Sequence, residues 1–91
     1  MKEHYKKEEL TKKLIEELED ELEGIIEYDK LHDSFAAHGM HYEARMIERI
    51  AADEYKHACT IWDMLKDHDV DLSEHEEIQS KWDCVKMIFD I

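Results

Sequence analysis

The stretch "AAHGM", Ala36 to Met40, contains Gly39, one of two glycines in a chain that has no proline. Glycine enters the left-handed backbone region without a Cβ clash, which suits it to the position just past a helix C-terminus. Long segments rich in Glu, Lys, Leu, Ile and Ala, all compatible with helix, run away from it on both sides. The reading is two helices joined by a very tight turn.

Further on, "HDVDLSEHE", His68 to Glu76, interrupts the second pattern. Ser73 with Glu76 three residues later reads as a capping box that opens a third helix. Helices are therefore expected at about 7–37, 40–68 and 74–89. The fold class is all-α: a long antiparallel helical hairpin plus a short C-terminal helix, with residues 1–91 as a single helical domain. No internal repeat or low-complexity linker divides it.

Composition narrows the function classes. With 43% hydrophobic residues the chain has enough apolar surface to fold, despite 41% charged residues. A formal charge of −13 and the lack of any basic face argue against nucleic acid. No segment approaches a membrane span, and "MKEHYKKEEL" has no apolar leader, so a cytoplasmic protein without membrane partners is expected. Cys59 and Cys84 form no C-x-x-C pair and read as buried small hydrophobes in a reducing compartment.

Phasing at 100° per residue sorts the acids. Leu14, Leu18, Leu22, Ile25, Tyr28, Phe35 and Ala36 share one side of the first helix, while Glu16, Glu19, Asp20, Glu23 and Glu27 are expected to point away. Glu21 falls inside the apolar stripe, with Glu17 at its edge and Asp29 leaning inward. In the second helix Ile47, Ile50, Glu54, His57 and Ile61 alternate at spacings of three and four. Ala51, Tyr55, Ala58, Trp62 and Leu65 widen that arc beyond what one neighbour covers, which implies a partner chain.

Heights then bring three of these residues together. Glu21 lies 18 residues before Gly39 and Glu54 lies 15 after it, so across the hairpin they differ by only about one helical turn. Glu54 and His57, spaced i, i+3, project from one face. Two carboxylates in an apolar seam cost several kcal/mol unless protonated, paired or metal-bound. No lysine or arginine shares their arc, and carboxylates with imidazole suit iron, manganese or zinc better than calcium. One Glu plus one Glu-x-x-His is half of the dimetal carboxylate set found in bundle cores, so a two-fold dimer would supply both halves and close a four-helix bundle around two ions.

"ELEGIIEY", Glu21 to Tyr28, followed by "ADEYKHA", Ala52 to Ala58, resembles the ferritin-like superfamily. The spacing of Glu21 and Glu54 is similar to rubrerythrin-type half-bundles. The short chain with one half-site resembles the encapsulated ferritins most closely, over roughly residues 10–66. The resemblance implies ferroxidase activity for iron storage or detoxification, with two irons per dimer held by Glu21, Glu54 and His57, and Tyr28 as their neighbour. It further implies a homodimer, a ring of dimers, and an encapsulin shell as partner and nanocompartment. Encapsulated ferritins end in a tail with a targeting peptide, whereas "CVKMIFDI" follows the third helix here without a linker.

Other readings stand beside this one. A rubrerythrin-like peroxide scavenger would use the same ligands, although two distant cysteines cannot build a rubredoxin site. A structural helical interaction protein would keep Glu54 and His57 as a hydrogen-bonded core pair. His32 and Glu43 face inward at similar heights and form either a secondary metal site or a satisfied polar pair. His4, His38, His41, His68 and His75 read as surface residues.

Overall fold

The computed structural model describes residues 6–90; His4 and Ile91 lie outside them. It is all-helical, with α1 Lys7–Ala37, α2 His41–Asp67, a 3-10 turn Leu72–Glu74, and α3 Glu76–Phe89. The three helices fall within two residues of their expected bounds, the usual scatter at frayed ends.

Both hairpin helices end in the same hydrogen-bonded device. At the end of α1 the Met40 N–H donates to Phe35 O at 2.9 Å and the Gly39 N–H to Ala36 O at 3.0 Å, with Gly39 at φ 74°. At the end of α2 the Val70 N–H donates to Leu65 O and the Asp69 N–H to Lys66 O, with Asp69 at φ 60°. These are Schellman closures, which satisfy carbonyls that the helix itself leaves open.

The seam between α1 and α2 is built on a seven-residue repeat. Ala44, Ala51, Ala58 and Leu65 are all buried on α2, and Ala58 and Leu65 share one core cluster with Leu18, Leu22 and Ile25 of α1. A strict seven-residue spacing keeps one stripe facing its neighbour, as in left-handed helix pairs, and alanine allows a close approach. Leu72, Ile78 and Val85 complete the same core from the 3-10 turn and α3.

The third helix covers one face of the hairpin. Trp82 stacks on Tyr55 at 5.9 Å and on Trp62 at 4.6 Å, and Phe89 meets Tyr55 at 4.9 Å. Thus α3 itself covers part of the wide apolar arc of α2 that the sequence assigned to a partner chain. Ile50 and Met64 remain exposed on α2, and Leu10 and Leu31 on α1.

Two local expectations are corrected. Glu19 and Glu23 do not point away: they face α3, where Lys81 Nζ lies 3.0 Å from Glu19 and 3.3 Å from Glu23. Phasing α1 against α2 alone could not register a third helix on its other flank. The capping box is also absent. Asp71 Oδ1 accepts both the N–H and the hydroxyl of Ser73, which engages that hydroxyl inside the 3-10 turn, and α3 starts after His75 with no side-chain cap.

The two left-handed positions make a paired prediction. Nothing lies within 4 Å of a Cβ added at Gly39, so Gly39→Ala carries only the backbone penalty, about 1 kcal/mol. Asp69 already bears that penalty and adds a negative charge beside the carbonyl end of α2, so Asp69→Gly should stabilise by about 0.5–1 kcal/mol. Urea midpoints should move in opposite directions for the two variants.

Candidate metal centre

The register of the hairpin sets Glu21 of α1 opposite Glu54 and His57 of α2. His57 Nδ1 lies 3.8 Å from Glu21 Oε2 and 3.8 Å from Glu54 Oε1. One donor atom from each residue can be chosen so that all three lie within 4.8 Å of one another. Among the described residues no other group of three or more His, Cys, Asp or Glu side chains meets that standard.

Burial differs across the trio and decides its electrostatics. The Glu21 side chain is 18% exposed, Glu54 28% and His57 59%. Glu21 Oε2 is shielded from water, yet among the described residues no hydrogen-bond donor reaches it. His57 at 3.8 Å is beyond hydrogen-bonding distance, and neither acid has a lysine or arginine partner among the described residues. Burial first, then a hydrogen bond that the protonated Glu21 donates to Glu54, and then the Glu54 charge push the Glu21 carboxyl from 4.5 up to about 7; Glu17 and Asp20 add to the rise. A carboxylate in this position either holds a proton or needs a cation.

The donor set suits a divalent transition metal: two carboxylates and one imidazole in a partly dry seam. Donors around one tetrahedral ion with bonds of about 2.1 Å lie about 3.4 Å apart, so the side chains would have to draw in from their present spacing. One chain provides three ligands, and its most exposed member, His57, is on the side left open to solvent.

The surroundings repeat the seven-residue spacing. Leu14 precedes Glu21 by seven residues, and Ile47 and Ile61 flank Glu54 by seven on either side; all are half-buried. Ile50 and Met64 flank His57 in the same way and are exposed. Leu14 and Ile61 pack against the monomer core, so the polar trio lies at the edge of that core, where it gives way to the exposed Ile50 and Met64.

The remaining candidates lie elsewhere. Tyr28, seven residues beyond Glu21, lines a groove with Asp29, His32, Glu48, Ala51, Ile88 and Phe89. Among the described residues its hydroxyl forms no hydrogen bond to Glu21 or Glu54. His32 is not joined to Glu43 by an ion pair; its Nε2 lies 3.8 Å from Glu48 and its Nδ1 3.1 Å from Asp33. Sequence reasoning missed Glu48, whose one signal was its position three residues before buried Ala51. Neither cysteine forms a disulfide: Cys59 is half-buried beside the Tyr55 hydroxyl, whereas Cys84 is exposed on α3 and so is not the buried small hydrophobe expected.

No helix among the described residues is long and apolar enough to cross a membrane. The chain matches no protein-family model, no curated protein and no solved structure.

The raised Glu21 carboxyl predicts a pH window for the metal-free protein. Below pH 4.5 this group is protonated in both the folded and unfolded states. As pH rises from there, the unfolded carboxyl ionises while the folded one keeps its proton to about 7, so stability is lost across that interval. Glu21→Gln, which mimics the protonated acid, removes this loss. The variant should gain on the parent by up to about 3 kcal/mol between these limits and by nothing further above them. Urea unfolding in the presence of a chelator measures the difference, and a pH-independent gap would mean that Glu21 ionises normally in the fold.

Proposed function

We propose that the chain is a ferritin-like dinuclear iron protein, in which two copies bring their Glu21, Glu54 and His57 side chains to one site and oxidise Fe(II). The observation that carries the reading is Glu21 Oε2, sealed from water with no hydrogen-bond donor among the described residues, beside a second carboxylate and an imidazole. A cation can take the place of the proton that Glu21 otherwise shares with Glu54.

The stoichiometry follows from charge. Two chains offer four carboxylates and two imidazoles, enough to neutralise and ligate two divalent ions, whereas one chain offers half of that. The exposed Ile50 and Met64, each seven residues from His57, supply apolar surface for a two-fold contact around the trio. Closing that face would complete a four-helix bundle and withdraw His57 from solvent.

Within such a site each residue has a definite task. Glu21 gives up its proton as the cation enters, since its raised carboxyl holds that proton near neutrality in the metal-free state. Glu54 and His57, on successive turns of α2, fix two ligand directions through one rigid helix. The apolar flanks limit water around the ions. Iron, the substrate, supplies the electrons, and oxygen or peroxide accepts them. Manganese or zinc would fit the same donors without that turnover.

A second reading keeps the trio as a polar register pin between helices, with no metal. The 59% exposure of His57 favours it, because an exposed imidazole is satisfied by water.

Anaerobic Fe(II) titration combined with sedimentation separates the two. The wild type should bind about one iron per chain and pass from monomer to dimer or larger as iron is added, because metal that binds only the assembled state drives association. Glu21→Ala, Glu54→Ala and His57→Ala should each abolish stoichiometric binding while the chain stays helical. Glu27→Ala, at an exposed pair with Lys30, should bind as the parent does. Glu19 and Glu23 are unsuitable controls, since both hold Lys81. A protein that stays monomeric with iron, or His57→Ala with normal loading, would sink the proposal.

A further inference from the structure

Beside the metal trio, the hairpin and the last turn of α3 enclose a groove of about 140 Å³. Its lining is two-sided. Tyr28, Ala51, Ile88 and Phe89 make an apolar wall, while Asp29, His32 and Glu48 form the polar part. No lysine or arginine lines it. His32, between Asp33 at 3.1 Å and Glu48 at 3.8 Å, is its one basic group. Ile88 and Phe89 belong to the final turn of α3, where the helix presents the negative end of its dipole.

We propose that this groove binds a small organic cation: a protonated amine carried on a compact aromatic or branched aliphatic body. Three features select that class. The volume is close to that of an engineered cavity of about 150 Å³ that holds benzene, so the body is limited to roughly one ring. The charge comes from two carboxylates and a helix C-terminus; the lysine of that last turn, Lys86, pairs with Asp83 and does not line the groove. The apolar wall includes the ring of Phe89, and aromatic rings favour a cation over their faces.

A bare divalent ion is the competing occupant, and the geometry disfavours it. Asp29, His32 and Glu48 do not bring three donors within 4.8 Å of one another, as the metal trio does. A point charge needs converging ligands. An ammonium on an apolar body needs only nearby negative charge and a wall to lie against, and the groove has both.

Ligand-observed NMR and calorimetry on the metal-free, full-length chain test this at about pH 8, above the ordinary imidazole range. Benzylammonium should bind saturably, and the neutral isostere benzyl alcohol should bind at least about fivefold more weakly, the size of one desolvated charge contact. Glu48→Gln and Asp29→Asn should each weaken benzylammonium about two- to fivefold, in line with partly exposed charge pairs. Ile88→Trp, which fills the groove from its apolar wall, should abolish binding in a chain whose helicity is unchanged. His57→Ala should bind benzylammonium as the parent does, so failure of the metal proposal leaves this result standing. Equal binding of the alcohol, no saturation, or insensitivity to both carboxamide variants would overturn the proposal. So would Zn²⁺ that binds His57→Ala and is lost on Glu48→Gln.

Discussion

The packing of α1 on α2, which buries Leu18, Leu22 and Ile25 on one helix and Ala58 and Leu65 on the other, sets the axial register on which the other arrangements depend. These side chains share one buried cluster, where the small Ala58 side chain permits a close approach. Side-chain pairs show the register in numbers. Moving eleven residues along α1, from Glu21 to His32, moves the contact nine residues back along α2, from His57 to Glu48. Antiparallel helices in steady contact behave in this way. A shift of one turn between α1 and α2 would separate both pairs together.

That register places a costly group at mid-hairpin. Glu21 lies next to Leu22 in the chain and against Glu54 across the seam, where its own environment holds its proton to near neutrality. The cost is opposed by the core on either side, with Leu18, Leu22 and Ile25 fully buried along the same helix. Lys81 adds to this on the far flank. The Glu19 carboxylate, with Glu23, raises the lysine ammonium and ties α3 to α1. The fold thus keeps its satisfied charges on one flank of α1 and an unsatisfied one on the other.

Much of this was legible because it depends on local periodicity. Gly39 marked the turn, and counting out from it placed Glu21 level with His57, since 18 residues on either side of the glycine reach both. The same count fails for His32. It points to residue 46, between Glu43 and Glu48, and only the packed register chooses Glu48. The orientation of Glu19 and Glu23 was out of reach for a different reason. Helical phase fixes which residues share a face, but not which flank a third helix will cover. The 3-10 turn at Leu72–Glu74 was hidden by a competing signal: Ser73 fits a helix cap, yet Asp71, two residues earlier, engages it first.

The position of α3 then bears on what the hairpin can do. Two helices side by side have two broad faces, and the stacked Tyr55, Trp62 and Trp82 commit one of them to α3. The other carries Ile50 and Met64 with Glu21, Glu54 and His57 among them. Its apolar residues favour covering by a second copy, while its two acids oppose it, because burial without a counter-charge costs several kcal/mol. On the reading proposed above these tendencies are not in conflict. The hydrophobic surface makes association available, and the carboxylates make it conditional on a cation. A seam of leucine and isoleucine alone would associate permanently, and a wholly acidic one would not associate at all. On that proposal, a ligand set within an apolar face would make assembly and metal binding a single linked equilibrium.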